Sequence, residues 1–148
     1  MARKYYYFIA SLPVLSLGQK VPLHVEDYVT ACERQLHADD LKAVRAALAD
    51  EEFPDGAAAD WYRCRHFLKN ELAFERALRA GKEPVKFVRG ERSTDIRIRK
   101  AVEEALSAPD PLESQRAIDR FSWSFLDELE QGHFFDADNA VVYGVRLK

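Results

Sequence analysis

The sequence has few cysteines and few glycines, on which disulfide frameworks, phosphate-binding loops and nucleophile elbows depend. Only two cysteines, Cys32 and Cys64, occur in 148 residues, which is too few for a disulfide framework and is typical of buried, reduced thiols. The six glycines are scattered, and none lies in a phosphate-binding loop or a Gly-x-Ser-x-Gly elbow. We therefore expect a protein that is not an enzyme and that holds no cofactor and no metal.

Long hydrophobic runs are also missing from the sequence. No apolar run approaches the length of about 20 residues that spans a bilayer. The apolar stretch at 5–15 is short, is interrupted by Pro13 and is rich in tyrosine, unlike the leucine- and alanine-rich core of a signal peptide. These features predict a mature cytoplasmic N-terminus and no direct insertion into a membrane.

Charge is unevenly distributed along the chain. The net charge is -3, which is a poor basis for nucleic-acid binding because that requires a broad basic footprint. Residues 82–100 carry seven basic and three acidic side chains, whereas residues 101–139 carry two basic and ten acidic ones. We expect Lys86, Arg89 and Arg92 to contact an acidic surface on a partner protein.

Apolar residues recur at helical spacing through most of the chain. Asp39 and Asp40 are candidate N-caps of a short helix, Ser93 or Thr94 could cap a later one, and Gly81 stands where a C-terminal glycine cap belongs. The expected helices are one over 25–37, a short one with Leu41, Val44 and Leu48 on its face, one over 58–80, one with apolar residues from Ile98 to Leu106, and one from Asp110 to Gly132. We expect one buried cluster that contains the side chains of Trp61, Leu68, Leu72, Phe121, Phe125 and Leu129.

The clearest local signal is a helix start at Asp110. Pro111 at the first helical position has no N–H to lose, and Glu113 lies where the side chain of a capping box can reach back to the cap. This pattern predicts Asp110 as the N-cap of a helix that ends near Gly132.

The two ends of the chain are ambiguous. Aromatic residues at 4–12 favour a strand. Residues 140–148 could form a helix capped by Asp136 or Asp138, or equally a strand. The last segment stops after an apolar run, as would an element that is cut short or one that a partner completes. We expect a partner to cover its apolar stripe, which consists of Val141, Val142, Val145 and Leu147.

Two metal sites are conceivable from residue type alone. A Cys2His2 zinc site would need Cys32, His37, Cys64 and His66, but the sequence spacing points the members of each pair in different directions on a helix. Glu130 and His133 match half of a di-iron motif, yet the sequence has no second half. A small metal-dependent enzyme therefore remains the weakest alternative.

Three sequence blocks together carry a resemblance to a known family. The blocks are 5–13 (YYYFIASLP), 110–121 with 123–129 (DPLESQRAIDRF, WSFLDEL), and 132–136 leading into 142–148 (GHFFD, VYGVRLK). They resemble an uncharacterised bacterial family whose members are encoded among V-type ATPase subunits. The middle block is also similar to the C-type subunits of archaeal and V-type ATPases, which are called d-type in eukaryotes. There, Ile118-Asp119 matches a Leu-Asp pair, and Gln115 stands where that family often has Glu.

The resemblance implies an all-α fold, an irregular bundle of six or seven helices similar to part of the C-type fold. It makes helices of 4–12 and 140–148. It implies a single domain over 1–148, as the N-terminal part of a longer architecture in other members.

The implied function is that of a non-catalytic accessory or coupling subunit of a bacterial V-type ATPase. It would act through protein–protein contacts near the central stalk, in the cytoplasm and peripheral to the inner membrane. Its partners would be other ATPase subunits, and self-association stays open. The alternative is a free-standing helical adaptor. Neither the transported ion nor the stoichiometry follows from the sequence.

Overall fold

The computed structural model describes residues 3–87 and 95–148, and within these ranges the chain is all-α. This confirms the predicted fold class. Both ambiguous ends of the chain are helical, and the only extended pairing in the described ranges is an isolated bridge between Lys4 and Asp136. The helices are α1 (Tyr6–Ser11), α2 (Val25–Gln35), α3 (Ala38–Leu48), α4 (Gly56–Arg79), a 3-10 turn (Pro84–Phe87), α5 (Ile96–Ser107), α6 (Pro111–Glu130) and α7 (Ala137–Leu147).

The chain divides into two compact units, whose boundaries fall within α4 and α6. Unit 1 comprises the described residues up to Tyr62 together with Phe125–Lys148, and unit 2 comprises the described part of Arg63–Ser124. The single domain over 1–148 stays a prediction.

The core of unit 1 forms around α2, α3 and α7. Tyr28 and Cys32 lie one turn apart on α2, and both are fully buried. They belong to the same cluster as Val142 of α7 and Val44 of α3. The Tyr28 hydroxyl donates to the backbone oxygen of Ala140 at 2.6 Å, so the one polar atom of this ring is satisfied in the core.

Unit 2 has a smaller core, formed by Leu68 of α4 with Ile98 and Val102 of α5. The prediction of one buried cluster is therefore wrong. Trp61 belongs to the core of unit 1, and Leu68 belongs to that of unit 2. Sequence periodicity identifies which face of a helix is apolar, but not which other helix covers each part of that face. The remaining four side chains are only partly buried, namely Leu72, Phe121, Phe125 and Leu129.

Two of the predicted helix caps are confirmed. The N–H of Glu113 donates to the Asp110 carboxylate at 2.8 Å, so Asp110 is the N-cap of α6. Gly81 follows the end of α4 with φ +73°, and the N–H of Lys82 donates to the oxygen of Ala77 at 2.9 Å, as in a Schellman motif.

The predicted cap of α3 is wrong. The N-cap is His37, whose ring accepts a hydrogen bond from the N–H of Asp39, and the two aspartates lie in the first turn. Acidic residues are favourable in either place, so the sequence does not separate the two assignments. Asp95 is the N-cap of α5, and the predicted alternatives Ser93 and Thr94 lie outside the described residues.

Candidate partner-binding surface

Helix α1 carries aromatic side chains on both of its faces. On the inner face, the Phe8 ring stacks on that of Tyr28 with centroids 6.0 Å apart. The hydroxyl of Tyr5, the residue that precedes α1, donates to Asp40 of α3. On the outer face, Tyr6 and Tyr7 are 59% and 94% exposed. A helix that packs only inward normally has a polar outer face, so two exposed tyrosines are the unusual feature of α1.

The segment between α6 and α7 adds a third exposed aromatic ring beside α1. Phe134 is 69% exposed, and its backbone oxygen accepts a hydrogen bond from the Lys4 ammonium at 3.0 Å. The backbone oxygen of its neighbour Phe135 accepts from the N–H of Tyr5 at 2.6 Å, and the Phe135 ring lies 5.3 Å from that of Tyr6. We call Tyr6, Tyr7 and Phe134 the aromatic surface.

Acidic and amide side chains form the hydrogen bonds that fix the turn between α6 and α7. Asp136 and Asn139 form a complete capping box at the start of α7. The Asn139 amide also donates to the backbone oxygen of His133 and to the Glu130 carboxylate. Asn139 is buried, so its hydrogen bonds fix the turn in a place where water does not compete.

His133 lies between two carboxylates in the same turn. Its Nδ1 is 2.8 Å from the Asp136 carboxylate, and its Nε2 is 3.4 Å from that of Asp138. The hydrogen bond to Asp136 raises the pKa of His133, and the negative charges of both aspartates raise it further against the opposing effect of partial burial. Asp138 also accepts from the N–H of Ala57 at the start of α4, at 3.1 Å.

The two residues that match half of a di-iron motif, Glu130 and His133, have protein partners. Glu130 pairs with Arg146 of α7, and Arg146 also pairs with Asp127. Glu130 and His133 are thus structural members of the α6–α7 junction.

The four residues that a Cys2His2 zinc site would need do not form a cluster either. Both cysteines are buried and reduced, and burial raises the pKa of the Cys32 thiol to about 11. Within 3–87 and 95–148, no group of three or more His, Cys, Asp or Glu side chains is arranged to hold a metal ion.

The predicted apolar stripe at the end of the chain is buried. Val141, Val142 and Leu147 are at most 5% exposed, and Val145 packs partly against the same core. The expectation of an uncovered stripe is wrong, because the chain's own helices α2 and α3 cover α7. The sequence shows an apolar face but does not say which part of the same chain returns to cover it.

Only one of the three basic residues that were predicted to contact a partner lies within the described part of the chain. Lys86 is exposed and pairs with Glu83 three residues earlier, at 3.1 Å. Arg89 and Arg92 lie outside the described residues. Their role in partner binding stays a prediction.

Unit 2 offers a shallow depression of about 310 Å³ between the end of α5 and the start of α6. Arg120 and Glu104 on its rim pair with each other at 2.6 Å, and Glu113 pairs with Arg116. These charges neutralise one another, so the depression offers no strong recognition of a charged ligand.

The aromatic surface is not among the sites that the sequence predicted. The available signal was the run Tyr5-Tyr6-Tyr7, because three consecutive aromatic residues cannot all lie on one face of a helix. At least one of them had to point outward.

Comparisons of this chain with protein-family models, with curated proteins and with solved structures gave no match. Among the described residues, no helix is both long and apolar enough to cross a membrane.

Proposed function

We propose that this chain is a non-catalytic accessory or coupling subunit of a bacterial V-type ATPase, which binds other subunits near the central stalk. The three sequence blocks that resemble the ATPase-associated family and the C-type subunits support this proposal, and so does the all-α fold that the resemblance implies. The observation that carries the mode of action is the aromatic surface.

Tyrosine is well suited to such a surface. Its ring buries a large apolar area, its hydroxyl can bond to a polar rim, and few rotatable bonds are fixed on binding. Tyrosine is accordingly frequent among the residues that dominate the binding free energy of protein interfaces. Tyr7 is almost fully exposed, so nearly all of its ring area is available to a partner.

The aromatic surface, and not the buried stripe on α7, is available for an apolar contact with a partner. Exposed ion pairs contribute only about 0–1 kcal/mol each, so Lys86, Arg89 and Arg92 would increase the association rate more than the affinity. An apolar contact must supply most of the affinity. Because the α7 stripe is buried, we assign that contact to Tyr6, Tyr7 and Phe134.

A pull-down from native membranes tests the proposal. Tagged wild-type protein should retain V-type ATPase subunits, identified by mass spectrometry. Tyr7→Ala should weaken that association by about 1–2 kcal/mol if Tyr7 lies in the interface, which is roughly a 5- to 30-fold increase in Kd. Leu112→Ala is the matched control, because Leu112 is also apolar and 59% exposed but lies on α6 in unit 2.

Each result of this experiment has a defined meaning. Failure of the wild-type protein to retain any ATPase subunits contradicts the proposed function. Retention of an unrelated protein, lost in Tyr7→Ala but not in Leu112→Ala, would instead identify a helical adaptor. Equal retention of ATPase subunits by all three proteins would keep the function and exclude Tyr7 as a contact.

The basic stretch has a test of its own. Changing Lys86, Arg89 and Arg92 to Glu should slow association at low salt and reduce its dependence on ionic strength. An unchanged association rate at low salt would show that these residues do not contact the partner.

A further inference from the structure

His133 is placed so that its two ring nitrogens contact two different carboxylates. Nδ1 is 2.8 Å from Asp136 and Nε2 is 3.4 Å from Asp138. A neutral imidazole has one N–H and one lone pair, whereas an imidazolium has two N–H donors. Only the protonated ring can satisfy both carboxylates, since a neutral ring would present a lone pair to one of them.

Each of the two carboxylates accepts a hydrogen bond from a backbone N–H in the first turn of a different helix. Asp136 accepts from the N–H of Asn139 as the N-cap of α7. Asp138 accepts from the N–H of Ala57 in the first turn of α4. Neither carboxylate can swing away from His133 without breaking one of these bonds. Loss of the proton is therefore accommodated most easily by movement of His133 and the turn that carries it.

That turn is also where the N-terminal segment is attached. Lys4 donates to the oxygen of Phe134, and Tyr5 donates to the oxygen of Phe135. Phe135 has φ +59°, an unfavourable backbone conformation for a bulky residue that persists only when surrounding contacts enforce it. His133 and Asp136 flank the Phe134-Phe135 pair, so the contact between them helps to enforce this conformation.

We propose that His133 is a proton-dependent latch, which when protonated holds the turn 133–136 so that the N-terminal segment stays paired to it. Deprotonation removes one of the two aspartate contacts, relaxes the turn and loosens residues 4–6. Because Tyr6 and Phe134 lie on the two sides of this attachment, proton loss alters the geometry of the aromatic surface.

The charged groups around His133 set the direction of the effect. Asp136 and Asp138 stabilise the imidazolium, whereas the nearby Lys4 ammonium opposes it. The pKa of His133 is raised above its ordinary value of about 6.5. Since His133 is about one-third exposed, it exchanges protons with solvent. The latch is closed at acidic pH and opens as the pH rises through the raised pKa.

The role of the latch in partner binding rests on the proposed function, but the latch itself does not. The proton dependence can be measured on the isolated chain. A negative result there leaves the proposed function standing, and a negative pull-down from membranes leaves the proposed role of His133 standing.

NMR titration of the full chain tests the inference. The ring signals of His133 report its protonation, while the Tyr5 amide and the Tyr6 ring report attachment of the N-terminal segment. In wild-type protein all three should change with one midpoint. In His133→Gln the changes at Tyr5 and Tyr6 should be absent over the same pH range. His24→Gln is the control, because His24 is exposed and its side chain makes no capping bond, and it should behave as wild type.

Asp138→Asn provides a second test, which applies even if His133→Gln does not fold. Asparagine retains an oxygen for the Ala57 N–H but removes one negative charge beside His133. The common midpoint should then move to lower pH, because a charge that stabilises the imidazolium is lost. Constant Tyr5 and Tyr6 signals while His133 titrates would overturn the inference. So would a wild-type transition in His133→Gln, or an unchanged midpoint in Asp138→Asn.

Discussion

Replacing Gly144 by alanine should destabilise unit 1, although the same change in most helices is stabilising. Gly144 lies inside α7, where alanine is intrinsically favoured over glycine by about 0.5–1 kcal/mol. The added methyl group, however, would lie 3.1 Å from Cε2 of Tyr28 and 3.6 Å from Cδ2 of Leu48. The first of these distances is shorter than ordinary carbon–carbon contact of about 3.5–4.0 Å.

The Tyr28 ring has little freedom to move away from a methyl group at position 144. It is fully buried, its hydroxyl is bonded to the oxygen of Ala140 one turn earlier in α7, and its ring contacts Phe8 and Tyr143. Overpacking of this kind costs about 1–3 kcal/mol. After the helix-propensity gain of about 0.5–1 kcal/mol is subtracted, we expect a net loss of up to about 2.5 kcal/mol, or a lower Tm by up to about 10 °C.

Tryptophan fluorescence can follow unit 1 alone. Trp61 is buried in the core of unit 1, so urea unfolding in a Trp123→Phe background reports on that unit. Gly144→Ala should lower the midpoint at an unchanged slope, which indicates a change in stability alone.

A second variant identifies the cause of the loss. Tyr28→Leu removes the atom nearest to the new methyl group, so Gly144→Ala should cost less in that background, and the two changes should not be additive. An increased stability for Gly144→Ala, or additive effects with Tyr28→Leu, would refute the close packing described for α2 and α7.

Three further predictions follow from local geometry. Asp110→Ala should destabilise the protein by about 0.5–2 kcal/mol through loss of the N-cap bond, measured by urea unfolding with Asp110→Asn as the control. Cys32 should resist iodoacetamide at pH 8 in the folded state and react in urea, because burial raises the pKa of its thiol to about 11; rapid labelling of folded protein would contradict this. The raised pKa of His133 should stabilise the protein fully below about pH 6.5 and cease to do so as the pH rises through that raised value. The stability difference between wild type and His133→Gln should therefore shrink as the pH rises, and a difference that stays constant or grows over this range would contradict the sign.

Elements with strong local signals were predictable from the sequence. The start of α6 at Asp110 and the end of α4 at Gly81 depend on backbone groups within a few residues, so the identity of nearby residues decides them. The burial of Tyr28 and Cys32 likewise follows from their helical spacing on α2.

The ends of the chain were not predictable from propensity. Aromatic residues favour a strand at 4–12, and residues 140–148 fit a helix or a strand equally well, yet both segments contain helices, α1 and α7. Helix α7 is enforced by the capping box of Asp136 and Asn139 and by packing against α2 and α3. Packing of this kind outweighs propensity differences of less than about 1 kcal/mol per residue.

Residue identities along the chain specify helices, several of their ends, and the side chains that need burial. Which surfaces are covered depends on how the helices pack together. Val141 and Val142 are apolar and become core, whereas Tyr7 and Phe134 also carry large apolar areas and stay exposed. The hydrophobic effect drives apolar area out of water without specifying its partner. The partner is set by which helices return to the same place, and contacts between distant residues such as Tyr5 and Phe135 are therefore visible only in the folded chain.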